Sequence, residues 1–204
     1  MVDTLLLYVS AAKDLIPERD LVGRSVTEIP VSLGWKIFFS PLKEKQIDTN
    51  IISQADIHIL MLGQDIRAPI GYEWVISRRV NRNPILFLKK EVPRTHAARD
   101  FIRTLRDFSN WHTYEDHTDL RHQILVMISK YILTYANVFA LRPLELEKLT
   151  DWTKELEDGA PEQIDETQGG AGESSVIIST ERFVPKDGLL INPKKDDAME
   201  QRRD

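Results

Sequence analysis

Short all-apolar runs alternate along this chain with stretches in which apolar residues recur every three or four positions. The runs read as buried strands, and the spaced stretches as helices lying on them. "LLLYVS", Leu5 to Ser10, is the first run. In the following "KDLIPERDLVGRSVTEIP", Leu15, Val22, Val26 and Ile29 share one helical face. Asp14 is the expected N-cap, Pro17 fits the first turn, and Pro30 stops the helix. "GWKIFFSP" is a second strand ended by Pro41, "EKQIDTNIISQA" a short helix or a loop, and "DIHILMLG" a third, buried strand. A helix is predicted from about Pro69 to Asn81, with Tyr72, Val75, Ile76 and Val80 as its buried face. "PILFLKK" is a fourth strand, "THAARDFIRTLRDFS" is helical, and "NWHTYE" is a short fifth strand. In "DHTDLRHQILVMISKYILTYANVFAL", Leu120, Ile124, Met127, Ile128, Tyr131, Tyr135 and Val138 make one continuous stripe.

Strands alternating with helices at this spacing imply a parallel sheet covered on both faces. The expected class is α/β, a flavodoxin-like three-layer fold with strand order 2-1-3-4-5. Ligands in that layout bind beyond the C-terminal strand ends, beside the point where strand order reverses. Strands 1 and 3 flank that point, so the loops around Ser10 and around Gly63, Gln64 and Asp65 form the default site.

The pattern changes after Leu141. Residues 1–141 read as the α/β domain and 142–158 as a helical extension. Leu146, Leu149, Trp152 and Leu156 would pack that extension on the domain or on a partner. Residues 159–204 read as a flexible acidic linker and loose tail. One strand-like segment, "SVIISTERFVPKDGLLINP", would dock back as an edge strand or pair with a partner.

Composition narrows the possible partners. The net charge is −5 over 204 residues, which gives no general attraction to nucleic acid or anionic membrane. The chain has no cysteine, which excludes disulfides and thiolate zinc sites and fits a reducing, cytoplasmic setting. No apolar run reaches membrane-spanning length. P-loop, dinucleotide and nucleophile-elbow glycine motifs are missing. The histidines of "WHTYEDH" read as solvated loop residues, so neither a metal nor a cofactor is expected. Arg78, Arg79 and Arg82 read as a solvated cluster favoured by a helix C-terminus.

Glu73, in "RAPIGYEW", carries the chemical question. It is expected in the first turn of its helix, half-sheltered at the edge of the apolar face and near the mouth of the third strand. Two readings stand. A first-turn carboxylate gains about 0.3–1 kcal/mol from the helix dipole. Alternatively it is a nucleophile, or a stabiliser of an oxocarbenium-like carbon, held rigidly beside an apolar wall. A neighbouring Tyr, Ser or Asp would then hold a ribose hydroxyl.

Residues 4 to 135 resemble a bacterial family of domains of unknown function. The likeness rests on "LLLYVSAAKDLIPERDLVG", with Ser10, Asp14-Leu15 and Glu18-Arg19, and on "SQADIHILMLGQDI…GYEWVISRRVNRNPILFLKK". That family is often fused to signalling ATPases and repeat arrays in bacterial conflict systems. Its fold is similar to nucleoside 2-deoxyribosyltransferases and to the TIR-like domains of innate immunity. The transferases carry a nucleophilic glutamate on the helix after strand 3, which corresponds to Glu73. They also use a tyrosine on strand 1 and an aspartate before the glutamate, for which Tyr8 and Asp65 are the candidates. Arg67 stands about where that aspartate is expected. The resemblance implies cleavage of an N-glycosidic bond in a nucleotide or NAD-like ligand, with Ser10, Asp65 and Arg67 holding sugar and phosphate. The rival expectation is a non-catalytic sensing or assembly module, binding a protein partner or a second copy through the helical extension and tail.

Overall fold

A computed structural model describes residues 4–41, 47–106, 110–159 and 176–178. Five parallel strands form its centre: β1 (Thr4–Ala11), β2 (Gly34–Phe39), β3 (Ile57–Leu62), β4 (Ile85–Lys89) and β5 (Trp111–Tyr114). They lie in the order 2-1-3-4-5, the flavodoxin-like arrangement. The helices are α1 (Ile16–Ser25), α2 (Thr49–Gln54), α3 (Ala68–Arg79), α4 (His96–Leu105), α5 (His117–Thr134) and α6 (Pro143–Asp158). A three-residue strand, β6 (Val176–Ile178), runs antiparallel along the outer edge of β2. Three residues of the strand-like segment, Val176–Ile178, therefore pair with the chain's own sheet. The rest of the stretch read as linker and tail, 160–175 and 179–204, lies outside the described residues.

Every residue of β3 is buried, because β1 and β4 flank it and helices cover both its faces. Such a strand has no solvent side and so shows no polar alternation. β2 lies near the edge and alternates: Trp35 and Ile37 are buried, while Lys36 is exposed. The larger core lies on the face covered by α1 and α5. Leu7, Val9, Ile59, Phe87 and Trp35 meet Val22, Ile124 and Ile128 there. Each such side chain contributes about 1.5–3 kcal/mol by leaving water. Leu149 of α6 is fully buried in the same core, with Trp152 and Leu156 packed partly against it. Glu145 fixes the start of α6, accepting from the backbone N–H of Arg142 at 3.0 Å and of Ser32 at 3.1 Å.

Several local expectations change in three dimensions. Asp14 does not cap α1; it lies in a 3-10 turn (Lys13–Leu15), and its Oδ2 accepts the Gln64 N–H at 2.8 Å. This bond joins the loops that follow β1 and β3. Their approach leaves no room beside Gly63, where an added Cβ would clash with Asp14 Oδ2. The helix expected to run to Ile29 ends at Ser25 and continues as a second 3-10 turn. The long apolar stripe stops early as well. α5 ends at Thr134, leaving Tyr135 and Val138 exposed.

The apolar face of α3 is also rotated from the expected one. Tyr72 is 48 % exposed and Val80 40 % exposed, whereas Ile70, Glu73, Ile76 and Ser77 are buried. The sheet face beneath α3 explains this, because it presents polar groups. Two small apolar clusters lie on that face, one around Leu60, Ile70 and Leu86 and one around Tyr8, Ile52 and Ile76. A polar seam runs along the same face.

Candidate functional site

The seam begins on β1. Tyr8 and Ser10 are two residues apart, so their side chains leave the same face of the sheet. His58 of β3 stands directly opposite Tyr8 in the parallel register. Ser40 follows β2, and its N–H bonds the carbonyl of Val9 at 2.9 Å, which places it level with Ser10. α3 crosses above and contributes Glu73 and Ser77, four residues apart and so on one helical face.

These six side chains form one connected network centred on Glu73. Its Oε1 accepts from the Tyr8 hydroxyl at 2.8 Å and the Ser40 hydroxyl at 2.7 Å. Its Oε2 accepts from Ser10 at 2.5 Å. Ser10 Oγ also lies 2.8 Å from His58 Nε2, and His58 Nδ1 lies 2.5 Å from Ser77 Oγ. The Tyr8 ring meets the His58 imidazole edge-on, with centroids 5.4 Å apart.

Glu73 has 0 % exposure, so neither sequence placement survives: it is not half-sheltered, and it is not in the first turn. It is the sixth residue of α3, and its carboxylate is held by hydroxyls of the sheet rather than by the helix terminus. Burial pushes its carboxyl above the ordinary range, and the bonds from Ser10, Ser40 and Tyr8 only partly oppose that. Burial, reinforced by the adjacent Glu73 charge, also raises the Tyr8 phenol. Desolvation drives the imidazole of His58 down to about 3 and keeps it neutral.

Of the expected site residues, Tyr8 and Ser10 therefore meet Glu73, whereas Asp65 and Arg67 bond elsewhere or stand apart. Asp65 Oδ1 accepts from the Thr95 hydroxyl at 2.6 Å, joining the loop after β3 to the start of α4. Arg67 is exposed at the N-cap position of α3 and makes no capping bond. Sequence reading missed Ser40, His58 and Ser77. Two of them left a signal. His58 is the polar residue inside an otherwise apolar buried run, and Ser77 follows Glu73 at the helical spacing of four.

A second polar group lies on the opposite face, at the C-terminal ends of β4 and β5. Glu18 of α1 is buried and pairs with Lys89 through Oε1, with His117 Nε2 at 3.7 Å. Glu18 Oε2 and the hydroxyl of buried Tyr114 have no hydrogen-bond partner among the described residues. Burial first, and then the Glu18 and Asp14 charges, push the Tyr114 phenol up.

Fold and site together define an α/β protein with a buried, hydroxyl-held carboxylate beneath the seam where strand order reverses. Comparison of the chain with protein-family models, with curated proteins and with solved structures gives no match in any of the three.

Proposed function

We propose that this protein cleaves the N-glycosidic bond of a nucleotide or NAD-like ligand, with Glu73 as nucleophile or charge stabiliser. One observation carries the reading. A carboxylate on the helix after β3 is shut off from water and oriented by three hydroxyls, one from the strand 1 tyrosine. Three donors fix the carboxylate plane, while burial leaves its charge less well solvated than in water. Developing positive charge on an anomeric carbon would relieve that deficit, so the interaction strengthens towards the transition state. Oε1 accepts two hydroxyls and Oε2 only one, so Oε2 keeps more lone-pair capacity for a sugar carbon. Because Glu73 has no exposed atom, attack there requires the groups over Oε2 to open and admit the ligand. Attack would then form a glycosyl ester and release the base, and water entering by the same opening would release the sugar and restore the carboxylate. The resemblance to transferase-like domains of bacterial conflict systems supports a role in cytoplasmic defence or signalling.

A second reading is a non-catalytic sensing or assembly module. The observation favouring it is that Glu73 is fully buried with both oxygens bonded, as a structural core group would be. Exposed Tyr135, Val138, Leu144 and Leu146 near the α5–α6 turn add an apolar surface for a partner. Incubation with a panel of nucleosides, nucleotides and NAD, followed by chromatography of released bases, tests the first reading. Release of a base by wild type and none by Glu73→Gln supports it. No release from any compound, together with self-association in sedimentation, favours the module.

A further inference from the structure

His58 has no part in the cleavage scheme, yet it is buried beside Ser10 and bonded at both nitrogens. Its surroundings leave it little choice of state. A serine hydroxyl has one proton to donate, and a neutral imidazole has one N–H. Ser10 gives its proton to Glu73 Oε2. The contact between Ser10 and His58 must then be made by Nε2–H donating into Ser10 Oγ. Nδ1 is left as the acceptor, and Ser77 supplies the proton that satisfies it. Every bond in the chain Ser77, His58, Ser10, Glu73 then points towards the carboxylate.

A neutral group in place of the carboxylate reverses the chain. A protonated Glu73 donates to Ser10 Oγ, Ser10 donates to His58 Nε2, and Nδ1–H donates to Ser77 Oγ. The two arrangements differ by one proton, taken from solvent. The ring stays neutral in both, in keeping with its burial. The protein backbone need not move, since only hydroxyl rotors and the ring proton change place.

We propose that His58 is a positioning residue whose tautomer is coupled to the charge of Glu73, Nε2–H when Glu73 is ionised and Nδ1–H when it is neutral. The ionised arrangement keeps the Ser10 proton on Oε2 and so holds the oxygen assigned to sugar attack; this catalytic role rests on the glycosidase reading, whereas the coupling itself does not.

Long-range proton–nitrogen NMR of the labelled, ligand-free protein tests it, with His58 assigned from the signals lost in His58→Gln. Wild type followed across a pH series should show Nδ1–H where the Glu73 carboxyl is neutral and Nε2–H where it is ionised, the carboxyl carbon shift reporting that charge in the same samples. Glu73→Gln should show Nδ1–H, because two hydroxyls draw its amide oxygen to the Oε1 position and leave its NH2 facing Ser10. Ser10→Ala should uncouple the ring from position 73, and Ser10→Thr should restore the wild-type tautomer. A wild-type tautomer that stays the same while the Glu73 carboxyl titrates, or one shared by wild type with Glu73 ionised and by Glu73→Gln, overturns the proposal. The wild-type pH series alone decides it should a variant fail to fold. In the cleavage assay, His58→Gln should lower kcat about tenfold with little change in KM. If wild type cleaves nothing, the glycosidase reading falls while a tautomer that follows Glu73 still stands.

Discussion

Glu73→Gln separates the cost of a buried charge from the benefit of its bonds. The amide keeps the shape of the side chain and removes only the charge. Placing a carboxylate in the interior costs several kcal/mol even after relaxation. Three hydroxyl bonds to an ionised acceptor return about 1.5–3 kcal/mol each, and a neutral amide retains about 0.5–1.5 kcal/mol per bond. Burial prevails over the three hydroxyls in the direction of the Glu73 shift, so the neutral group is the better tolerated. The variant should gain on the order of 1–2 kcal/mol at pH 7, or roughly 2–8 °C in melting temperature for a chain of this size. The pH dependence follows from the same shift. Folded Glu73 keeps its proton to higher pH than the unfolded chain, whose ordinary value is 4.5. Between those two values the folded state binds more protons, so wild-type stability falls as pH rises. That contribution is fully present below 4.5 and lost as pH passes the folded value. The advantage of Glu73→Gln should therefore be largest near neutral pH and vanish in acid. Denaturant melts of both proteins from pH 4 to pH 8 measure it. A variant less stable than wild type at pH 7, by an amount constant with pH, would refute the reasoning and make the carboxylate a net stabilising group.

Tyr8→Phe removes one of the two donors to Glu73 Oε1 and should cost about 1–3 kcal/mol in a urea melt; no measurable change would mean that the bond is not made in solution. Gly63→Ala drives a methyl group into Asp14 Oδ2 and the Leu15 side chain, and should cost about 1–3 kcal/mol while releasing the Gln64 amide to hydrogen exchange. Trp152→Ala should destabilise the fold by about 2–3 kcal/mol, since Trp152 packs against the main core; an unchanged melt would place α6 outside the cooperative unit. Ala140 has a φ of 50°, so Ala140→Gly should raise stability by a few tenths to about 1 kcal/mol through relief of left-handed strain.

Strand runs and helical spacings were enough to define the fold class. An all-apolar run such as "IHILML" needs cover on both faces, and the α/β layout supplies it. The helix spacing between such runs allows only parallel connections, and the 2-1-3-4-5 order follows as one of the few ways to cover both faces. Glu73 stood out in the sequence because a charge beside packing residues requires a reason. Its environment did not stand out, because the groups that surround it come from four separate elements. Hydrophobicity alone assigned Tyr72 and Val80 to the buried face of α3 and left Glu73 at its margin. The sheet surface beneath the helix reversed that, because Tyr8, Ser10, Ser40 and His58 offered hydrogen bonds where an apolar side chain would have left them unsatisfied. Asp14 was misplaced for a related reason: a local capping rule could not anticipate an amide fifty residues away. Periodicity along the chain determines which faces seek cover, whereas pairing between distant polar groups is decided only when β1, β2, β3 and α3 are brought together.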